Sequence, residues 1–367
     1  MRLIIRVDMI SKKVAILNLQ VDANFGGHLQ RFALIHAIQR MGYDVTHLNT
    51  RFPSSKKSVM KYLKGGLKRL VLYPLYALKK SADYLSLRYF KYYIKHESIT
   101  EAFYEKYIPH TSRIYSNEEL ARYQDYDCFV VGSDQVWRKS IAANYGLFTY
   151  LFDYLPKDKK RIAYGVSLGT DKSELTEEDE KLFRELYARF EGVSVREDSG
   201  LKLLQGYGCD KPQAELVLDP TLLLGADDYS RMIETGHTCG LKEDVFCYIL
   251  DKEEGNIASI AKVAQEKGMT YRLWESMDHY SVEQWLRSIR DAKLVITDSY
   301  HGMLFSIIFN KPFMLLKNDF RGNARFASVI TSLGVDLKKE KQDFNEINKK
   351  IDGLRKSSLE FLSSNLQ

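Results

Sequence analysis

Short apolar runs alternating with helix-length segments predict an α/β protein built as two successive units. Three observations carry that class. Residues 13–20, KVAILNLQ, read as a buried first strand, followed by a turn containing glycines, a helix over 28–41 and a second strand over 43–48. From Asp127 the strand-then-helix rhythm returns, and after residue 244 it begins afresh. Such alternation points to parallel sheets covered by helices. A chain of 367 residues is long enough for two cores, and 45% hydrophobic with 28% charged residues is ordinary globular composition.

Taken in order, Asn24-Phe25-Gly26-Gly27 reads as the glycine turn of a βαβ opening. Phosphate binders place glycines there, although this turn is neither GxGxxG nor a Walker loop, and a plain tight turn fits equally. Residues 51–95 hold twelve Lys and Arg against one acid, Asp83, a local charge of +11 on a body that sums to −5. Val59, Leu63, Leu67 and Leu70 recur at helical spacing, so a basic helical insertion broken near Pro74 is expected. Basic residues among Tyr and Leu suit an anionic membrane surface. A helical insertion with a solvated basic face explains them as well.

In the middle of the chain, four strand ends carry small polar or charged residues. Cys128–Val131 runs into Gly132-Ser133-Asp134, and Arg161–Val166 into Ser167-Leu168-Gly169. Gly192–Val195 runs into Arg196-Glu197-Asp198-Ser199, and Glu215–Leu218 into Asp219-Pro220-Thr221. One polar tip is routine; four suggest an active-site rim, because ligands of open α/β sheets bind at the carboxyl ends of the strands. The stretch Gly225–Asp244 lacks a strong pattern, which puts a domain boundary there, with units over 1–235 and 236–367.

The second unit builds toward LVITDSYHGMLFSIIFNKPFMLL, residues 294–316. It reads as a strand (Leu294–Thr297), a polar turn, an uncharged and hence buried helix from Met303, and another strand after Pro312. Asp298, Ser299, Tyr300 and His301 therefore lie where a strand ends and a helix begins. Free amides and the positive helix end suit a phosphate or carboxylate there, and Gly302 would let a ligand approach the backbone. Helix capping by Asp298 or Ser299 is the plainer alternative. Downstream come Arg321 and Arg325, helical residues to Leu333 and a lysine-rich tail ending in a helix.

No run reaches the roughly 18 apolar residues of a membrane span, and the first residues lack a signal-peptide core. Four cysteines without a CxxC pair favour reduced thiols over disulfides or a zinc site. The expected location is cytoplasmic.

At this point the chain resembles the polysaccharide pyruvyl transferases over nearly its whole length. The likeness lies in NFGGHLQRFAL, VVGSDQVW, RIAYGVSLG, SVREDSG with VLDPTLLL, VITDSYHGMLFSIIFNKPF and RGNARF, in that order. It implies two Rossmann-like domains facing a cleft, as in GT-B glycosyltransferases, with phosphoenolpyruvate as the donor in that cleft. Pyruvate then passes to two hydroxyls of one sugar as a cyclic ketal and phosphate leaves, with no cofactor and no metal. On this reading His301 is the acid, Asp134 or Asp298 the base, and Arg196 an anion ligand. An ion pair of Arg196 with Glu197, Asp198 or Asp219 is the competing role. Ser133, Ser299, Tyr300, Gly302, Gly26, Gly27, Asn323 and Arg325 complete the expected substrate site. One departure stands out: members often carry arginine where this chain has Ser299, so that charge is either missing or supplied elsewhere, with Arg321 and Arg325 as the candidates.

A GT-B glycosyltransferase using a nucleotide sugar is the nearest rival, though the second unit shows no acidic pair at the spacing retaining members use. A non-enzymatic basic scaffold explains residues 51–95 but not the polar strand tips, and no nucleic-acid partner is expected. The expected acceptor is a sugar of a surface polysaccharide or its lipid-linked precursor. Residues 51–95 would dock the enzyme at the inner face of the cytoplasmic membrane.

Overall fold

The computed structural model describes residues 11–51, 99–142, 146–251, 254–274, 280–316, 323–337, 339 and 342–367. Apart from Arg51, the expected basic insertion lies outside the described residues, as does Arg321. The strands form two parallel sheets. β1 (Lys13–Leu17), β2 (Asp44–His47), β3 (Cys128–Val131), β4 (Lys160–Val166), β5 (Gly192–Val195) and β6 (Glu215–Leu216) pair in the order β2-β1-β3-β4-β5-β6. β7 (Val245–Tyr248), β8 (Tyr271–Leu273), β9 (Leu294–Thr297) and β10 (Phe313–Leu315) pair in the order β10-β9-β7-β8. The two-unit α/β class expected from the strand–helix rhythm is what the chain adopts.

Strand order reverses between β1 and β3 in the first sheet and between β7 and β9 in the second. Helices leave to opposite faces at such points, which opens a crevice beyond the strand ends. Register sharpens this: Leu17 faces Val131, and Tyr248 faces Thr297. The residues that follow, Asn18 with Gly132–Asp134 and Ile249–Asp251 with Asp298, therefore emerge side by side.

Two segments differ from expectation. The presumed glycine turn is the first turn of helix α1 (Phe25–Arg40), with Asn24 as N-cap accepting from the Gly27 amide at 3.3 Å. A capping Asn matches the start signal of a helix, and neither glycine needs a left-handed backbone. After α2 (Asp198–Gly206), the stretch assigned to a boundary holds the amphipathic α3 (Ala226–Thr235), which buries Tyr229, Met232 and Ile233. Then follow α4 (Tyr300–Ile308), α5 (Asn323–Leu333) and α6 (Phe344–Leu366).

One hydrophobic cluster runs through both units, including Leu29 and Phe32 of α1, Tyr229, Leu304, Phe305 and Phe361. Phe25, at the start of α1, packs edge-on against Trp274 and Trp285 at 5.5 and 6.1 Å. Helix α6 returns to the first unit. The Ser358 hydroxyl accepts from the Leu218 amide at 3.0 Å, and Arg355 Nε donates to the Leu222 carbonyl at 2.8 Å.

Candidate active site

The strand tips of the first sheet meet the start of α4 from the second. Their centre is Arg196, whose side chain is wholly buried just past β5. Nη1 donates to Asp219 at 2.7 Å and Nη2 to Asp134 at 2.9 Å. Of the two roles open to Arg196 in the sequence, the structure supplies the ion pair, with Asp134 as a second carboxylate that spacing did not suggest. Glu197 lies 3.7 Å from Arg196 Nε, but its Oε1 is taken by the Ser167 hydroxyl and the amides of Leu168 and Gly169. That carboxylate ties the end of β4 to the end of β5.

Asp134 adopts a left-handed backbone, φ 72°, a conformation Asp tolerates better than most residues. Gly132, at φ 114°, has to be glycine because any side chain there would strike the Tyr164 carbonyl. Burial pushes the Asp134 carboxyl up, yet Arg196, Arg325 and His301 outweigh it and hold it below the ordinary value. Asp134 is thus ionised and 14% exposed, facing the cleft. Ser133 points inward and donates to the Gly165 carbonyl at 2.5 Å, so its hydroxyl supports the turn.

From the second unit, the Tyr300 ring lies between two guanidiniums, 5.2 Å from Arg196 and 5.3 Å from Arg325. This cation–π pairing brings Arg325 of α5 to the rim although 24 residues separate it from Tyr300 in the chain. Asn323 begins the same helix. His301 sits in the first turn of α4, its Nε2 4.0 Å from Asp219 and without a hydrogen bond. Its ring rests directly on Gly26, where an added Cβ would overlap it. The second glycine of the pair, Gly27, serves the helix cap.

The environment of His301 departs from expectation. Burial lowers its pKa, Asp219 raises it, Arg196 lowers it again, and the balance falls at about 4. The resting imidazole is therefore neutral at pH 7, whereas a general acid has to carry a proton.

Three other residues of the motif prove to be supports. Asp298 accepts from the Leu250 and Asp251 amides at 2.7 and 2.9 Å, fully buried, and so pins the β7 loop beside β9. Ser299 caps α4 by accepting from the Gly302 amide at 3.3 Å. Gly302 packs against the Thr297 side chain, which leaves no room there for a Cβ.

Asp219, legible as a strand tip and as one of three possible partners of Arg196, joins Arg196, His301 and Gln30, whose Nε2 donates to it at 2.6 Å. Gln30 and Asn18 escaped notice. Their signal was available in α1, which buries His28, Gln30 and Arg31 along with its apolar residues. Polar residues on a helix buried all round need internal partners.

Among the described residues no group of three or more His, Cys, Asp or Glu could hold a metal ion, and no helix is long and apolar enough to cross a membrane. All four cysteines are free.

Among solved structures, a protein from Listeria monocytogenes described as a UDP-N-acetylglucosamine 2-epimerase shares the fold, with TM-score 0.50 and 10% identity over 96% of this chain and 90% of that one. UDP-GlcNAc 2-epimerase from Neisseria meningitidis aligns at TM-score 0.47 and 11% identity, covering 97% and 99%. A glycosyltransferase from Rickettsia africae aligns at 0.47 and 9%, covering 97% and 99%. No curated protein matches by sequence. The family model for polysaccharide pyruvyl transferase matches residues 24–319, a span that takes in α1, every strand tip described above and the His301 motif. The chain therefore belongs to the polysaccharide pyruvyl transferase family.

Proposed function

We propose that this enzyme moves pyruvate from phosphoenolpyruvate onto two hydroxyls of one sugar, closing a cyclic ketal and releasing phosphate, in the making of a surface polysaccharide or its lipid-linked precursor. The observation that carries the reading is His301 itself. Its Nε2 is buried and unpartnered at the junction of two helix starts, beside an ionised carboxylate and two guanidiniums. Both helix ends favour a bound anion.

Arg325, stacked over the Tyr300 ring, takes the anionic donor in place of the arginine that Ser299 replaces. The entering phosphate raises the pKa of the neighbouring imidazole, so His301 gains a proton as the donor binds. It delivers that proton to the methylene carbon, which leaves C2 electrophilic. One sugar hydroxyl adds to C2 and gives its proton to Asp134. Departure of phosphate makes C2 electrophilic again, and the second hydroxyl closes the ring with loss of its proton.

The test mixes enzyme, phosphoenolpyruvate and a panel of lipid-linked and nucleotide-linked sugars. Phosphate release should accompany a new ketal methyl signal by NMR. Consumption of a nucleotide sugar with no use of phosphoenolpyruvate would instead establish the glycosyltransferase alternative.

A further inference from the structure

Beside this site, at the β1/β3 crevice, a small cavity of about 30 Å³ is lined by residues that include Asn18, Gln20, Gln30, Arg31, Ser133 and Asp134. Asn18 and Gln30 are 4% and 1% exposed. Each amide has its orientation dictated by its NH₂ group. Asn18 Nδ2 donates to the Gly132 carbonyl, and Gln30 Nε2 donates to the Asp219 carboxylate. Neither partner can donate in return, so turning either amide over would set oxygen against oxygen.

The consequence is two buried carbonyl oxygens, Asn18 Oδ1 and Gln30 Oε1, with no hydrogen-bond donor. A buried acceptor left without a donor is destabilising, so two beside one cavity call for a donor from outside the chain. Anions are poor candidates, because the carboxylates Asp22 and Asp134 line the same cavity and the two orphaned oxygens accept and do not donate. Arg31 is buried with Nε on His47, Nη2 on the Leu19 carbonyl and Nη1 facing His28, while Ser133 donates to Gly165. Gln20 Nε2 is the unspent donor of the lining. A hydroxyl fits this set, since it donates to an amide oxygen and accepts from an amide NH.

We infer that this cavity is the subsite for an acceptor sugar hydroxyl, with Asn18 and Gln30 as its positioning residues and Asp134 the proton acceptor beside it. The assignment rests on the proposed function for Asp134's role, but the hydroxyl-binding cavity stands without it.

Binding and turnover are therefore measured separately. Saturation-transfer NMR with methyl glycosides of common hexoses and of their N-acetylated amino forms detects sugar binding with no donor present. The best binder and its monodeoxy analogues are then compared on wild type, Asn18→Ala and Gln30→Met, with melting curves to confirm folding. One deoxy position should weaken wild-type binding at least 10-fold but change binding to a folded variant less than 3-fold. Wild-type enzyme that binds no glycoside, or a deoxy penalty that persists undiminished in both folded variants, overturns the subsite and shows that a bound water fills the cavity. If Gln30→Met fails to fold through loss of its Asp219 contact, Asn18→Ala decides alone, and if both fail the deoxy series on wild type decides by the presence or absence of one penalised hydroxyl. Sugar binding without phosphoenolpyruvate turnover would refute the pyruvyl-transfer reading and leave the subsite intact.

Discussion

Replacing Gly26 by alanine sets two effects of opposite sign against each other. In a helix, Gly→Ala ordinarily stabilises by roughly 0.5–1 kcal/mol. Gly26 lies in the first turn of α1, so propensity alone predicts a slightly more stable enzyme. The new methyl, however, would sit 2.6 Å from His301 Cε1 and closer still to the rest of that edge of the ring. Ordinary carbon contacts begin near 3.5 Å, so the imidazole has to retreat by roughly 1 Å. Overpacking of that kind costs about 1–3 kcal/mol, which outweighs the helical gain. The larger effect falls on turnover, since a misplacement of about 1 Å in a catalytic group can cost 100-fold. Gly26→Ala should thus lose modest thermal stability and about two orders of magnitude in kcat, with the KM for the donor changed far less. Phosphate-release kinetics beside a melting curve measure both. A variant with wild-type kcat would show that His301 need not hold its position against α1, and would remove this contact from the mechanism.

His301→Asn should keep the fold and lower turnover by about 100-fold or more, the usual loss for a general acid. The same variant reads out the histidine's burial. The folded pKa of about 4 lies below the ordinary 6.5, so the unfolded chain binds the extra proton first. The stability contribution of His301 is complete above pH 6.5 and is lost as pH falls toward 4, on the order of 3 kcal/mol at most. Wild type should lose more stability than His301→Asn across that window, and parallel urea curves for the two would contradict it. Arg196→Met leaves Asp134 and Asp219 buried without their cation and should cost about 3–5 kcal/mol in chemical unfolding; a loss under about 1 kcal/mol would mean the pairing is not structural. For residues 51–95, co-sedimentation with anionic liposomes should fall as salt shortens the Debye length, whereas equal recovery on neutral lipid would dismiss membrane docking.

Much of the fold was legible because it rests on local pattern. Strands such as Gly192–Val195 and Leu294–Thr297 stand where their apolar runs put them. Glycines were harder to interpret. Asn24 through Gly27 has the composition of a turn, and only the arrival of His301, some 275 residues later, explains why Gly26 carries no side chain. The candidate site was legible as strand tips, and of its pairings only Arg196 with Asp219 was among the candidates. That Arg196 would also meet Asp134 depends on β3 and β5 lying in one sheet, which no spacing encodes. Asp298, in turn, read as a base or a helix cap because the amide it accepts from at Leu250 lies in a loop 48 residues earlier.

The return of α6 to the first unit means that the chain passes between the two halves twice, once before β7 and once between α5 and α6. A body joined to another at one point can swivel in any direction; joined at two, it swings like a door on the line through its hinges. Gly26 and His301 meet across two halves tied in this double way, so their contact is held from both sides of the junction.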